Sequence, residues 1–182
     1  MTKKSKNSKS VLGLEEGIVN LVQYSPEWQK SFEEEKSILQ STLGEIIKDI
    51  QHIGSTAIPN LMAKPIIDIG IAIENIQDVQ KCVEPLKNLG YEYKGEFNLP
   101  GRHFFIKGNP RTHHIHIVEQ QSNHWKIWIL FRDYLRNHKE IAKEYESLKI
   151  ELAKKYKHNR EAYVTEKAPF IEKVVKMALS EK

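Results

Sequence analysis

The run PIIDIGIAI, Pro65 to Ile73, constrains the fold of this chain more than any other stretch. It is almost entirely apolar and β-branched, the pattern of a central strand covered on both faces. One residue, Asp68, breaks the pattern. A carboxylate is costly to bury unless something pairs with it, so the fold has to bring a partner to this position. Directly upstream, HIGSTAIPNLMAK supplies Gly54, Ser55, Thr56 and Lys64.

Those residue types suit a phosphate. A Gly-Ser pair between a strand and a short helix presents backbone N–H groups and a hydroxyl to an anion. Glycine permits close approach because no Cβ intrudes, and Lys64 adds a compact positive charge. A carboxylate beside phosphates suits a divalent cation, magnesium being the hard ion for oxygen ligands. The plainer alternative is an ordinary turn into a core strand, with Asp68 accepting backbone or arginine hydrogen bonds. The loop is not a Walker loop, since no Gly-Lys pair stands at the spacing that motif requires.

The other segments predict an α+β domain, a mixed sheet built by the first two-thirds with a helical carboxy-terminal part. Residues 1–16 read as a polar, basic, disordered tail, and 17–182 as one domain that turns helical from about 123. Ile18 to Tyr24 reads as a short strand. Ser25 as a cap and Pro26 at the first position open a helix. Its apolar stripe is Trp28, Phe32, Ile38, Leu39 and Leu43, and Gly44 ends it. EIIKDIQHIG reads as a strand entering the Gly-Ser loop. IQDVQKCVEPLKNLG reads as a helix ended by Gly90, with Pro85 an irregularity. Strands are expected at Tyr91 to Glu96, His103 to Lys107 and His113 to Val118. Two later stripes, one of Ile141, Tyr145, Leu148, Leu152 and Tyr156 and one of Tyr163, Phe170, Ile171, Val174 and Ala178, repeat at helical intervals.

Charge narrows the partners. Lys3, Lys4, Lys6 and Lys9 account for the whole formal charge of +4, so the pI near 9.0 belongs to the tail. Nucleic-acid binding by the folded part therefore gains no support from net charge. No run approaches the roughly 18 apolar residues of a membrane span, and a single cysteine, Cys82, excludes an internal disulfide. A cytoplasmic protein without a membrane partner is expected.

The segment THHIHIVE offers Asp68 its company. His114 and His116 share one strand face, with Ile115 and Ile117 on the other. Either imidazole, joining Asp68 on a metal, would favour zinc or manganese over magnesium; the spacing does not choose between them. The alternatives are half-buried, hydrogen-bonded histidines or acid–base residues without metal. A histidine-triad hydrolase needs a third same-face histidine, and Thr112 and Val118 stand where it would be. Arg102 and Arg132 are candidate phosphate clamps. Lys149 and Lys167 fall on amphipathic helices and read as solvated. His52 either lines the pocket or caps its strand, and Trp125 and Trp128 read as core.

The string HIGSTAIPNLMAKPIIDI, followed in order by GYEYKGE, GRHFF, RTHHIHIV, FRDYL and YESLKIELAKKY, resembles the signature of the GrpB family, a branch of the nucleotidyltransferase superfamily. The resemblance covers about Ile18 to Ala178. It implies a mixed sheet flanked by helices, a Gly-Ser motif, and an Asp-x-Asp or Asp-x-Glu pair on a strand. Here Gly54-Ser55 is followed by twelve residues and then Asp68, but the second acid is replaced by Gly70. It also implies a role for His116 or His114 where the superfamily has a late-strand carboxylate. Related domains look to be fused in some bacteria to dephospho-coenzyme A kinase.

Three functions stay open on this reading. The first is a divalent-metal-dependent transferase of nucleotidyl or phosphoryl groups: Ser55, Lys64 and Arg102 hold phosphates, Asp68 holds magnesium, manganese or zinc, and His116 or His114 acts as ligand or acid–base. The second is a degenerate module that binds a nucleotide or coenzyme-like phosphate compound. The third is a folding accessory without a ligand. Oligomeric state is not legible.

Overall fold

The computed structural model of the protein describes residues 12–181. Its centre is a five-stranded mixed sheet in the order β1-β2-β5-β4-β3. The strands are β1 (Asp49–Ile53), β2 (Ile67–Ile73), β3 (Tyr91–Tyr93), β4 (His103–Lys107) and β5 (His113–Glu119). Only β2 and β5 are parallel; the β1–β2, β4–β5 and β3–β4 pairs are antiparallel. The parallel pair lies at the middle, as the unbroken apolar run predicts.

Side chains alternate across the sheet. On one face Ile67, Ile69, Ile71, Ile73, Phe105, Ile115 and Ile117 pack under α1 (Glu27–Leu43) and α2 (Val79–Asn88). On the other face Asp68 and Gly70 of β2 lie in register with His114 and His116 of β5. On that face lies α3 (Asn123–Asn137), against which α4 (Lys139–Lys155) and α5 (Arg160–Ser180) pack in turn. Ala72, Val118 and Trp125 join α3 to the sheet. Ile58 and Leu61, just after the Gly-Ser turn, pack with Phe131, Tyr134, Leu135, Tyr145, Val174 and Ala178. The helical part is thereby anchored on the loop that precedes β2.

Several boundaries differ from expectation. Of the expected tail, residues 1–11 lie outside the described residues. Within 12–16, Leu14 is buried and bridges to Arg111. Ile18 to Tyr24 forms no strand. Only Val22 pairs, with Ala63, while Val19 packs on Leu152 and Tyr163. The apolar side chains there are buried by helices rather than by a ladder, so hydrophobic pattern alone overstates the strand. The strand from Tyr91 stops at Tyr93, because Gly95, Phe97 and Asn98 take positive φ and turn the chain back. Ile38 is 43% exposed, and Glu35 occupies the buried stripe of α1 in its place. It is satisfied there by the Tyr91 hydroxyl at 3.0 Å and Lys107 Nζ at 2.8 Å. Pro85 sits inside α2, which runs on to Asn88. Among the described residues no helix is long and apolar enough to cross a membrane.

Ile69 is fully buried between His52 of β1 and Ile115 of β5. Ile69→Ala should lower unfolding free energy by about 2–5 kcal/mol, with Ile69→Val costing only about 0.5–1.5 kcal/mol. Denaturant titration measures both.

Candidate functional site

The parallel register places Asp68 beside His114 and Gly70 beside His116. Asp68 Oδ1 lies 2.9 Å from His114 Nδ1 and 3.5 Å from His116 Nε2. One ligand atom from each of the three residues falls within 4.8 Å of the others. Both histidines share a face with the aspartate, as their spacing and the strand pairing require. Phe104 of β4 walls the pair, its centroid 5.0 Å from each imidazole, and Trp128 of α3 lies 5.4 Å from His116.

Burial pushes the Asp68 carboxyl upward, but hydrogen bonds from His114 and then His116 outweigh it and hold it well below the usual carboxylate range. Burial also lowers both histidines, His114 to about 4, so the rings are neutral at physiological pH. A carboxylate and two neutral imidazoles on one spot form a donor set for a divalent metal. These residues fit such an ion.

Asp68 also forms part of the wall of a cavity of about 260 Å³, shared with Gly54, Ser55, Thr56 and Lys64. Gly54 has φ +71°, and a Cβ there would stand 2.6 Å from Asp68 Oδ2, so only glycine allows the turn to close against the carboxylate. Thr56 holds the turn, its hydroxyl donating to the Ile66 carbonyl and lying 3.0 Å from His52 Nε2. His52 itself stacks on Phe32 beneath the sheet and is lowered by burial to about 4. It supports the turn and lies outside the cavity lining.

Three lysines line this cavity against the single aspartate: Lys64, Lys149 and Lys167. Lys149 is only 1% exposed; its ammonium donates to the Met62 carbonyl and lies over the Tyr145 ring. Burial, and then the charge of Lys167, lower it from about 10.5 to about 7. Lys64 is lowered well below the ordinary lysine range by burial and then by Arg160 and Lys167. Tyr163 sits among them, with Lys64 and Lys167 over its ring at 5.7 and 4.6 Å. Arg160, at the start of α5, is lowered by burial, an effect that the charge of Asp68 partly offsets.

On sequence alone Lys149 and Lys167 take a solvated face only as the default role of helix lysines, which the family resemblance qualifies, and Arg160 is not singled out. A signal was present: Lys149 lies four residues after Tyr145 and three before Leu152, and Lys167 four after Tyr163, on the buried stripes of their helices. Both arginines proposed as clamps make hydrogen bonds outside the cavity, though Arg102 Nε is buried with no partner among the described residues and its charge reaches Asp68 and His116. Arg102 donates to the Glu96 and Phe97 carbonyls and lies over Phe104 at 4.9 Å. Arg132 is held by Asp133, Gln51 and the His52 carbonyl, tying α3 to β1. Neither lines the cavity. Trp125 is core, as expected, whereas Trp128 lines the cavity.

The family model described as GrpB protein matches residues 18–177. The glutamate-rich protein GrpB of Alkalihalophilus pseudofirmus is 42% identical over 171 residues, covering 91% of this chain and 98% of that protein. The UPF0157 protein YqkA of Bacillus subtilis is 44% identical over 154 residues, 84% of this chain and 45% of that longer protein. The crystal structure of the conserved protein GrpB from Enterococcus faecalis superposes with a TM-score of 0.82 at 40% identity, over 89% of this chain and 98% of that one.

Two outcomes test this geometry. Gly54→Ala should destabilise the fold by about 1–3 kcal/mol, the cost of a strained backbone position, measured by thermal or denaturant melting. Lys149 binds its proton less readily when folded than when unfolded, so the unfolded state holds the extra proton between about pH 7 and 10.5. Stability from this group therefore rises with pH across that window. Lys149→Met should flatten the rise, read as the difference in unfolding free energy between pH 7 and pH 9.5.

Proposed function

The chain belongs to the GrpB family, and from its site we propose that it binds a nucleotide or another phosphorylated small molecule, with a divalent metal ion held at Asp68. The observation that carries this reading is the imbalance of charge in one cavity, three lysines against one carboxylate. Cations held in a poorly solvated pocket lose part of their affinity for protons, and an arriving anion restores it. Phosphate oxygens meet that need at Lys64, Lys149 and Lys167, with Ser55 and the Gly54 turn offering further hydrogen-bond donors. Trp128, Phe131, Tyr145 and Tyr163 line the same cavity and suit an apolar or aromatic portion of the ligand. Arg132, held by Asp133, Gln51 and the His52 carbonyl, carries no part of this reading.

A metal held by Asp68, His114 and His116 would supply a Lewis acid at the phosphate-facing wall. The protein's own side chains hold and orient the phosphates and keep the two imidazoles neutral. Transfer of a nucleotidyl or phosphoryl group is the second reading. It is favoured by Asp68 standing in the same cavity as the lysines. Release of pyrophosphate from nucleoside triphosphate, incubated with metal and a pool of small acceptors, separates transfer from binding.

Calorimetry checks the binding reading. Inorganic triphosphate and nucleoside triphosphate should bind at pH 8 with net proton uptake, seen as a dependence of heat on buffer ionisation, because Lys149 gains its proton in the complex. Lys64→Ala and Lys149→Met should each weaken binding by roughly tenfold or more, the value of a charge-assisted hydrogen bond. Equal affinity in both variants, with no proton uptake, would refute the assignment. Asp68→Asn should remove the dependence on metal while leaving the lysine-held component.

A further inference from the structure

The family resemblance implies a pair of acids two residues apart on one strand, and such a pair is the kind of donor set that two-metal chemistry needs. The residues present do not fit it. The second position is Gly70, and the space in front of it is filled: a Cβ there would lie 3.0 Å from Trp125 and 3.2 Å from Ile53, both buried. A side chain at 70 would press on both, and each neighbour would have to give by a few tenths of an ångström. Across the ladder from Gly70 stands His116, whose Nε2 leans to the Asp68 carboxylate. Among the described residues, the one cluster able to hold an ion is Asp68, His114 and His116, with a single carboxylate in it.

We propose that Asp68, His114 and His116 form a single-ion centre selective for a late first-row metal of the zinc class over magnesium, and that no second ion joins it. The inference rests on the metal reading given above. Two of the three donors are imidazole nitrogens, which bind zinc, cobalt or iron in preference to magnesium, an ion that demands oxygen ligands and keeps its water. The two nitrogens already converge on one oxygen, at 2.9 and 3.5 Å, so a small ion meets all three donors without a change of strand register. Phe104 holds both rings and Trp128 holds His116 from the outer side, fixing their planes by packing.

The far ring nitrogens, His114 Nε2 and His116 Nδ1, are buried with no hydrogen-bond partner. Metal-binding histidines ordinarily donate that second N–H to a carboxylate or carbonyl, which strengthens the ligand. With no such partner on the protein, the centre holds its ion less tightly than one so supported. Three protein ligands also leave open positions. Of the three donors Asp68 alone lines the lysine-rich cavity, so a phosphorylated ligand or water would reach the ion from the Asp68 side.

The test strips the full chain with a chelator, then titrates it separately with zinc, cobalt and magnesium salts, and with zinc against excess magnesium. The expected result is one equivalent of zinc or cobalt, a visible cobalt absorption band, and no displacement of zinc by magnesium. His116→Ala and His114→Gln should each weaken cobalt binding by at least about tenfold, with circular dichroism unchanged. The zinc–magnesium competition uses the unaltered chain and stands whether or not these variants fold. Two bound ions, or magnesium held as tightly as zinc, would overturn the single-ion inference and leave the metal reading in place. No ion bound, while triphosphate still binds through the lysines, would overturn the metal reading itself and this inference with it.

Discussion

The parallel ladder between β2 and β5 brings the only acidic side chain of an otherwise apolar strand against two imidazoles. Without that pairing Asp68 would be a carboxylate at the middle of a sheet with nothing to compensate it, which is costly. With it, the carboxyl stays ionised, and the same contact defines the one cluster of potential metal ligands among the described residues. The isoleucines that alternate with Asp68 and the histidines fill the opposite face. Packing and chemistry are therefore set by a single register. A slip by one residue would send the apolar set to the wrong side and break up the cluster.

The second constraint is electrostatic and comes from the helices. Lys64, Lys149 and Lys167 converge on a cavity holding one aspartate, and burial lowers Lys149 to about 7. Such a set of cations weakens the empty protein. It is tolerable because Tyr145 and Tyr163 offer ring faces to the ammonium groups and the Met62 carbonyl accepts from Lys149. In the proposed function this unfavourable charge is what an anionic ligand relieves. The single carboxylate and the filled space at Gly70 then separate phosphate binding, which the cavity supports, from chemistry that needs two metal ions.

Much of this was legible before the fold was known. The apolar run at β2, the turn at Gly54 and the same-face pair His114 and His116 follow from residue type and period alone. The buried stripe of α1 and the extent of β3 were less so. Glu35 sits in an apolar stripe because Tyr91 and Lys107 reach it from the sheet, and nothing local announces those partners. Arg102 and Arg132 looked like clamps because guanidinium suits phosphate, yet each found backbone carbonyls or nearby side chains first. Lys149 looked solvated because a lysine on a helix usually is; its place on the buried stripe was readable and was outweighed by that default.

The amino-acid order by itself determined the local facts: which segment is the central strand, where the chain can turn against a carboxylate, and that residue 70 bears no acid. Periodicity and side-chain chemistry act over a few residues, and these features need no more. Which side chains would meet was decided only by the tertiary structure. β5 lies 46 residues beyond Asp68 at the contact with His114, and Lys149 is 87 residues from the Met62 carbonyl it holds. Contacts at such separations come from the cooperative packing of sheet and helices, where burial fixes position and position fixes charge.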